Sequence, residues 1–102
     1  MLEMKDRATA LIATNAEVLI GALIYLSKQQ IKIPDDISVV SYSLPVNLPL
    51  FPIDITSATQ NPSILGEKAA GLLLERVRSS KMQNREVIYP CLIHYGNSVR
   101  RI

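Results

Sequence analysis

One cysteine in 102 residues, Cys91, has no partner for an internal disulfide. A chain of this kind fits a reducing, cytoplasmic setting. Apolar neighbours such as Leu92 predict a buried, inert thiol. Histidine is as scarce. His94, flanked by Ile93 and Tyr95, is the only one and reads as structural rather than catalytic. No cysteine and histidine fall at metal-ligand spacing, so no metal site is predicted. Four glycines form neither a Walker nor a dinucleotide pattern, which excludes a glycine-rich phosphate loop. Charge of one sign is also missing. The net charge of +2 does not by itself imply nucleic acid. The clusters Arg76-Arg78-Lys81 and Arg100-Arg101 read as solvated surface. Met1 to Asp6 lacks the basic start and apolar run of an export signal. No apolar stretch is long enough to span a membrane. Internal repeats and low-complexity tracts are absent.

Catalytic constellations are equally thin. Asp35-Asp36 follows Pro34, where adjacent carboxylates make a turn. Ser41 and Ser43 have no activating base nearby in sequence. No catalytic residue and no cofactor is predicted. What remains suits a soluble globular chain, with 48% hydrophobic and 20% charged residues. The length fits one small domain or a piece of a larger one, with a modest core.

The stretch Ala8 to Tyr42 organises the chain as strand, helix, strand. Ala10–Thr14 is short and apolar. Asn15 is a good helix N-cap, and Glu17 suits the positive end of the helix. A helix is predicted over Ala16–Gln29. Val18, Leu19, Ala22, Leu23 and Leu26 form one apolar face, and Ile20 and Ile24 extend it round the cylinder. Such a helix needs more than one partner. Gln30 follows it, and a left-handed backbone there costs roughly 1 kcal/mol relative to glycine. Ile37–Tyr42, rich in β-branched residues, is the second strand. Two short strands joined by a helix predict a right-handed βαβ unit with parallel strands.

Pro45, Pro49 and Pro52 exclude a regular helix from Ser43 to Asp54 and disfavour a central strand. The apolar residues Leu48, Leu50 and Phe51 there fit a packed crossover or an interface. Asn61-Pro62 opens a second helix, predicted to run to Ser79. Leu65, Ala69, Leu72, Leu73 and Val77 share one face of it, which reads as core. Val87–Tyr89 and Cys91–Tyr95 look like strands, and Gly96-Asn97 is a turn signal. In open α/β sheets, ligands sit beyond the carboxyl ends of the strands. Asn15, Ser43 and Gln60 follow such ends. Their neutral amides and hydroxyl suit a polyhydroxyl ligand; for Asn15 the alternative is that it only caps its helix.

Three segments carry a family resemblance: Ile12-Ala13-Thr14-Asn15, Ile20-Gly21-Ala22-Leu23, and Ile33-Pro34-Asp35-Asp36-Ile37-Ser38-Val39-Val40. It resumes at Ile55-Thr56-Ser57, Gln60, Leu65-Gly66 and Ala69-Ala70 to Leu74. In order and spacing these resemble the effector domain of lactose-repressor (LacI/GalR) transcription regulators. The resemblance implies an α/β fold, a three-layer parallel sheet of the type I periplasmic-binding-protein kind. Residues 1–102 would be a single partial domain from its C-terminal lobe. It implies a regulator that is not an enzyme and that senses a small effector, a sugar or sugar phosphate. Asn15, Ser43 and Gln60 would line the effector cleft. Ile20 and the loop Leu48, Leu50 and Phe51 would lie at a homodimer interface. Operator DNA would be met only through a headpiece absent from this sequence. By analogy, the second helix belongs to the other lobe. Ala16, Ser43-Leu44 and Tyr95 stand where the family commonly carries charged or amide groups, which implies either an altered effector or lost binding. The rival readings are a transport-type sugar-binding protein of the same fold and a small α/β enzyme.

Overall fold

The computed structural model describes residues 8–44, 52–79, 81 and 83–102. The chain forms two compact units, Met1–Thr59 with Leu92–Ile102, and Gln60–Cys91.

The first unit holds a four-stranded sheet in the order β1 (Ala10–Ala13), β2 (Ser38–Tyr42), β3 (Thr56–Thr59) and β4 (Leu92–His94). The pairs β1–β2 and β2–β3 are parallel, and β3–β4 is antiparallel. The predicted βαβ unit is therefore present, but the sheet is mixed. Thr59 and Leu92 are register partners, so the chain returns beside the strand it left, in the opposite direction. Helix α1 (Ala16–Lys28) joins β1 to β2.

Asn15 starts α1 as expected: its side chain accepts the Val18 amide at 2.8 Å. Glu17 lies in the first turn and Lys28 in the last, each matching the helix dipole. The helix ends in a paired-carbonyl cap. Gln30 N–H donates to Ser27 O and Ile31 N–H to Leu26 O, with Gln30 left-handed at φ 57. A helix of 13 residues is marginal alone. Packing decides it. Leu19, Leu23 and Leu26 are buried with Ala13, Ile37, Val39 and Ile55. Each fully buried leucine contributes roughly 1.5–3 kcal/mol. Strand alternation aims Leu11, Ala13, Val39 and Ser41 at one face. On the other, Ile12, Tyr42 and Ile93 are exposed.

A polar peg closes the base of the sheet. The Ser98 hydroxyl accepts from Thr56 N–H at 2.9 Å and donates to Val39 O at 2.6 Å, while Val39 N–H donates to Ser98 O. Asn97 and Asp54 exchange hydrogen bonds beside it. The predicted Gly96-Asn97 turn sits here for a steric reason: a Cβ on Gly96 would collide with the Asp54 carbonyl. The Asp35-Asp36 turn is also as expected, with Asp36 accepting from Lys32 N–H at 2.8 Å.

The second unit is built on α2 (Pro62–Arg78). The Asn61 side chain caps it, accepting from the Ser63 and Ile64 amides at 3.1 and 3.2 Å. Its apolar stripe departs from expectation, because no residue of α2 is buried. Leu73 and Val77 are 63% and 75% exposed. Residues 87–89 form no strand, and Cys91 is exposed rather than buried. Within this unit, Arg85 pairs with Glu75 at 3.5 Å. Among the described residues, no helix is long and apolar enough to cross a membrane.

Candidate functional site

Parallel strands bring their carboxyl ends to one rim. Ala13 is in register with Ser41, and Ser41 with Ser57. Two residues further along each strand stand Asn15, Ser43 and Thr59. Sequence reasoning named the first two and missed Thr59. The segment Thr56–Thr59 is polar and short, with no hydrophobic alternation to mark a strand. The signal that could have found it was its place after the proline-rich crossover.

Asn15 and Ser43 are both exposed. The cap uses only the Asn15 Oδ1, and its Nδ2 makes no hydrogen bond among the described residues. Capping and ligand contact are therefore compatible for one side chain. Ser43 has a left-handed backbone, φ 92. Its N–H donates to Ala58 O at 3.0 Å, and its carbonyl accepts from the Ser41 hydroxyl. Its own hydroxyl is unengaged among the described residues. The rim thus offers neutral donors and acceptors. Gln60 is exposed and begins the second unit, directly before the Asn61 cap.

Of the interface residues, Ile20 is half-buried on α1. Val18, Ile24 and Tyr25 are 50%, 44% and 56% exposed, so the helix keeps a second apolar side. Leu48, Leu50 and Phe51 lie outside the described residues.

Elsewhere the chemistry is sparse. At the opposite end of the sheet an open hollow of about 470 Å³ is lined by Leu23, Ile31, Ile33, Pro34, Pro52 and Ile53, with Ser27 and Asn97. None of the described residues that line it is titratable. His94 Nε2 lies 2.7 Å from Asp54 Oδ1 on the surface. That resembles two members of a triad, but the nearby Ser98 hydroxyl is already committed to Val39 O. No group of three or more metal-ligating side chains occurs among the described residues.

Comparison with known proteins agrees with this picture. The family model described as a periplasmic binding protein-like domain matches residues 1–99. The transcriptional repressor PurR of Mannheimia succiniciproducens is 30% identical over the whole chain, which covers 30% of that protein. PurR of Photobacterium profundum is 35% identical over 82% of the chain and 25% of its own length. The chain thus spans about a third or less of these curated relatives. They are repressors, not enzymes. A LacI family regulator from Enterococcus faecium, crystallised with bound ribose, superposes with a TM-score of 0.81 at 25% identity. That match covers 93% of this chain and 35% of that one. A Silicibacter pomeroyi regulator shares the fold, with a TM-score of 0.70 at 23% identity over 91% of this chain and 28% of that one.

Proposed function

This chain belongs to the periplasmic binding protein-like family, in the form found in LacI-type transcriptional regulators, and from that premise we propose that it senses a small neutral effector at the rim of its sheet. One observation carries the reading. Register aligns Asn15 and Ser43 at the carboxyl ends of parallel strands, each with a polar group unengaged among the described residues. Uncharged donors and acceptors suit a polyhydroxyl molecule, and a structural neighbour holds ribose. Gln60 is proposed as a further effector contact in the longer regulator. The chain is a single partial domain of that regulator, which works in the cytoplasm and reaches operator DNA through a headpiece outside these residues. Effector binding acts by differential affinity for two lobe arrangements.

The test is a ribose titration of the chain, followed by amide NMR and calorimetry. Signals of Asn15 and Ser43 should move while those of Asn97, at the other end of the sheet, stay fixed. Affinity should be weaker than submillimolar, because part of the cleft lies in the longer protein. Tight binding by this chain alone, or shifts confined to the base, would overturn the reading.

We also propose a homodimer through Ile20 and the loop bearing Leu48, Leu50 and Phe51. The support is the second apolar side of α1, since exposed apolar area seeks cover. Sedimentation at micromolar concentration should show a dimer or larger species. The Ile20→Glu, Phe51→Glu double variant should sediment as a monomer. A folded monomeric wild type refutes the proposal.

A further inference from the structure

Ser43 is held by a residue that does not itself reach the rim. Ser41 is 0% exposed, and its hydroxyl donates to the carbonyl of Ser43, two residues on. In an extended strand such residues stand about 6.6 Å apart, and the carbonyls lie in the plane of the sheet. A serine hydroxyl above that plane does not meet the carbonyl of residue i+2. Here it does, because φ 92 at Ser43 turns the carbonyl out of the sheet. The bond therefore requires the bend. On the other side of Ser43, its N–H is still in the ladder, donating to Ala58 O. The last ladder bond fixes where the bend begins, and the Ser41 hydroxyl fixes which way it goes.

A left-handed backbone at a residue other than glycine, asparagine or aspartate persists only where its surroundings hold it, and such residues collect at functional sites. We infer that Ser41 is a positioning residue for the effector rim: its buried hydroxyl holds Ser43 in the left-handed conformation that presents Ser43 to a ligand. This rests on the reading of the rim as an effector site. The chemistry is specific to a small donor. Alanine removes the hydrogen bond and leaves a strained serine. Glycine at position 43 removes the strain, since glycine adopts positive φ without a steric penalty.

The experiment uses the isotopically labelled 102-residue chain, with ribose as the probe. In Ser41→Ala, the amide–Hα coupling and carbon shifts of residue 43 should leave left-handed values for extended or averaged ones. Core amides of Leu23 and Leu26 should not move. If the competent conformer falls to roughly a tenth, ribose-induced shifts at residue 43 need about tenfold more ribose. The double variant Ser41→Ala, Ser43→Gly should recover the left-handed signature. Should Ser41→Ala fail to fold, this double variant must fold, or the inference falls. An unchanged coupling at residue 43 in Ser41→Ala overturns it whatever ribose does. Absence of any ribose response at Asn15 and Ser43 in the wild type instead sinks the ligand reading of the rim. The coupling measurement still decides the role of Ser41 in that case.

Discussion

Helix α1 buries three leucines in a core shared with two strands, whereas the longer α2 buries nothing. Both helices carry an asparagine cap, and both have an apolar stripe at helical spacing. The contrast separates two properties that a sequence pattern merges. Periodicity states which face of a helix wants cover. Whether cover exists depends on other segments. For α1, the strands that flank it in the chain supply that surface. For α2, no described residue of its own unit buries the stripe. An apolar face with 63% of Leu73 and 75% of Val77 exposed fits a chain that spans only part of its relatives' length.

The sharpest way to break the comparison is to truncate one leucine from each helix. Leu23→Ala should cost about 2–5 kcal/mol, because Leu23 is only 2% exposed within the core. Leu73→Ala should stay within about 0.5 kcal/mol. Denaturant unfolding followed by circular dichroism measures both. Equal losses would show that α2 has a core of its own.

A smaller effect sharpens what holds the first unit beyond apolar burial. Ser98→Ala strips partners from Thr56 N–H and Val39 O, and leaving such groups unpaired costs about 1–3 kcal/mol. Ser57→Ala should do the reverse. Its buried hydroxyl has no hydrogen-bond partner among the described residues, so removal should be neutral or raise stability by about 1 kcal/mol. Thermal melts of the two variants should move in opposite directions or differ by several degrees.

The smallest expected effect compares the caps. Asn15→Ala should lower global stability by about 1 kcal/mol, since α1 is part of the cooperative core. Asn61→Ala should instead fray α2 locally. Amide exchange in Ser63 to Leu65 should accelerate while the unfolding midpoint of the first unit holds. A global shift of similar size from both variants would mean that the two units unfold together.

The same division of labour explains what was legible in the sequence. The βαβ unit was readable because β-branched runs and a capped helix are local signals. So were the Asp36 turn and the proline at the head of α2. The polar strand β3 was not readable. Its Thr and Ser residues have strand structure because β2 and β4 flank them. The buried thiol was wrong for a related reason. Apolar neighbours suggested burial at Cys91, but Leu92 and Ile93 are themselves 68% and 55% exposed. At the rim, Asn15 and Ser43 could be named from their places after strands. Thr59 was missed, because its short polar strand carries no hydrophobic alternation.

By itself, then, the amino-acid order determined where helices start and stop, which faces are apolar, and which polar residues end the two recognisable strands. Those outcomes follow from interactions within one or two turns of the chain. Only the tertiary structure decided which stripe is covered, that β4 runs antiparallel, that Ser98 pegs the base and that Ser41 steers Ser43. The last is the most instructive. Ser41 and Ser43 are two residues apart, yet their hydrogen bond exists only because Ser43 departs from the strand. The ladder bond to Ala58, 15 residues further on, marks where that departure begins.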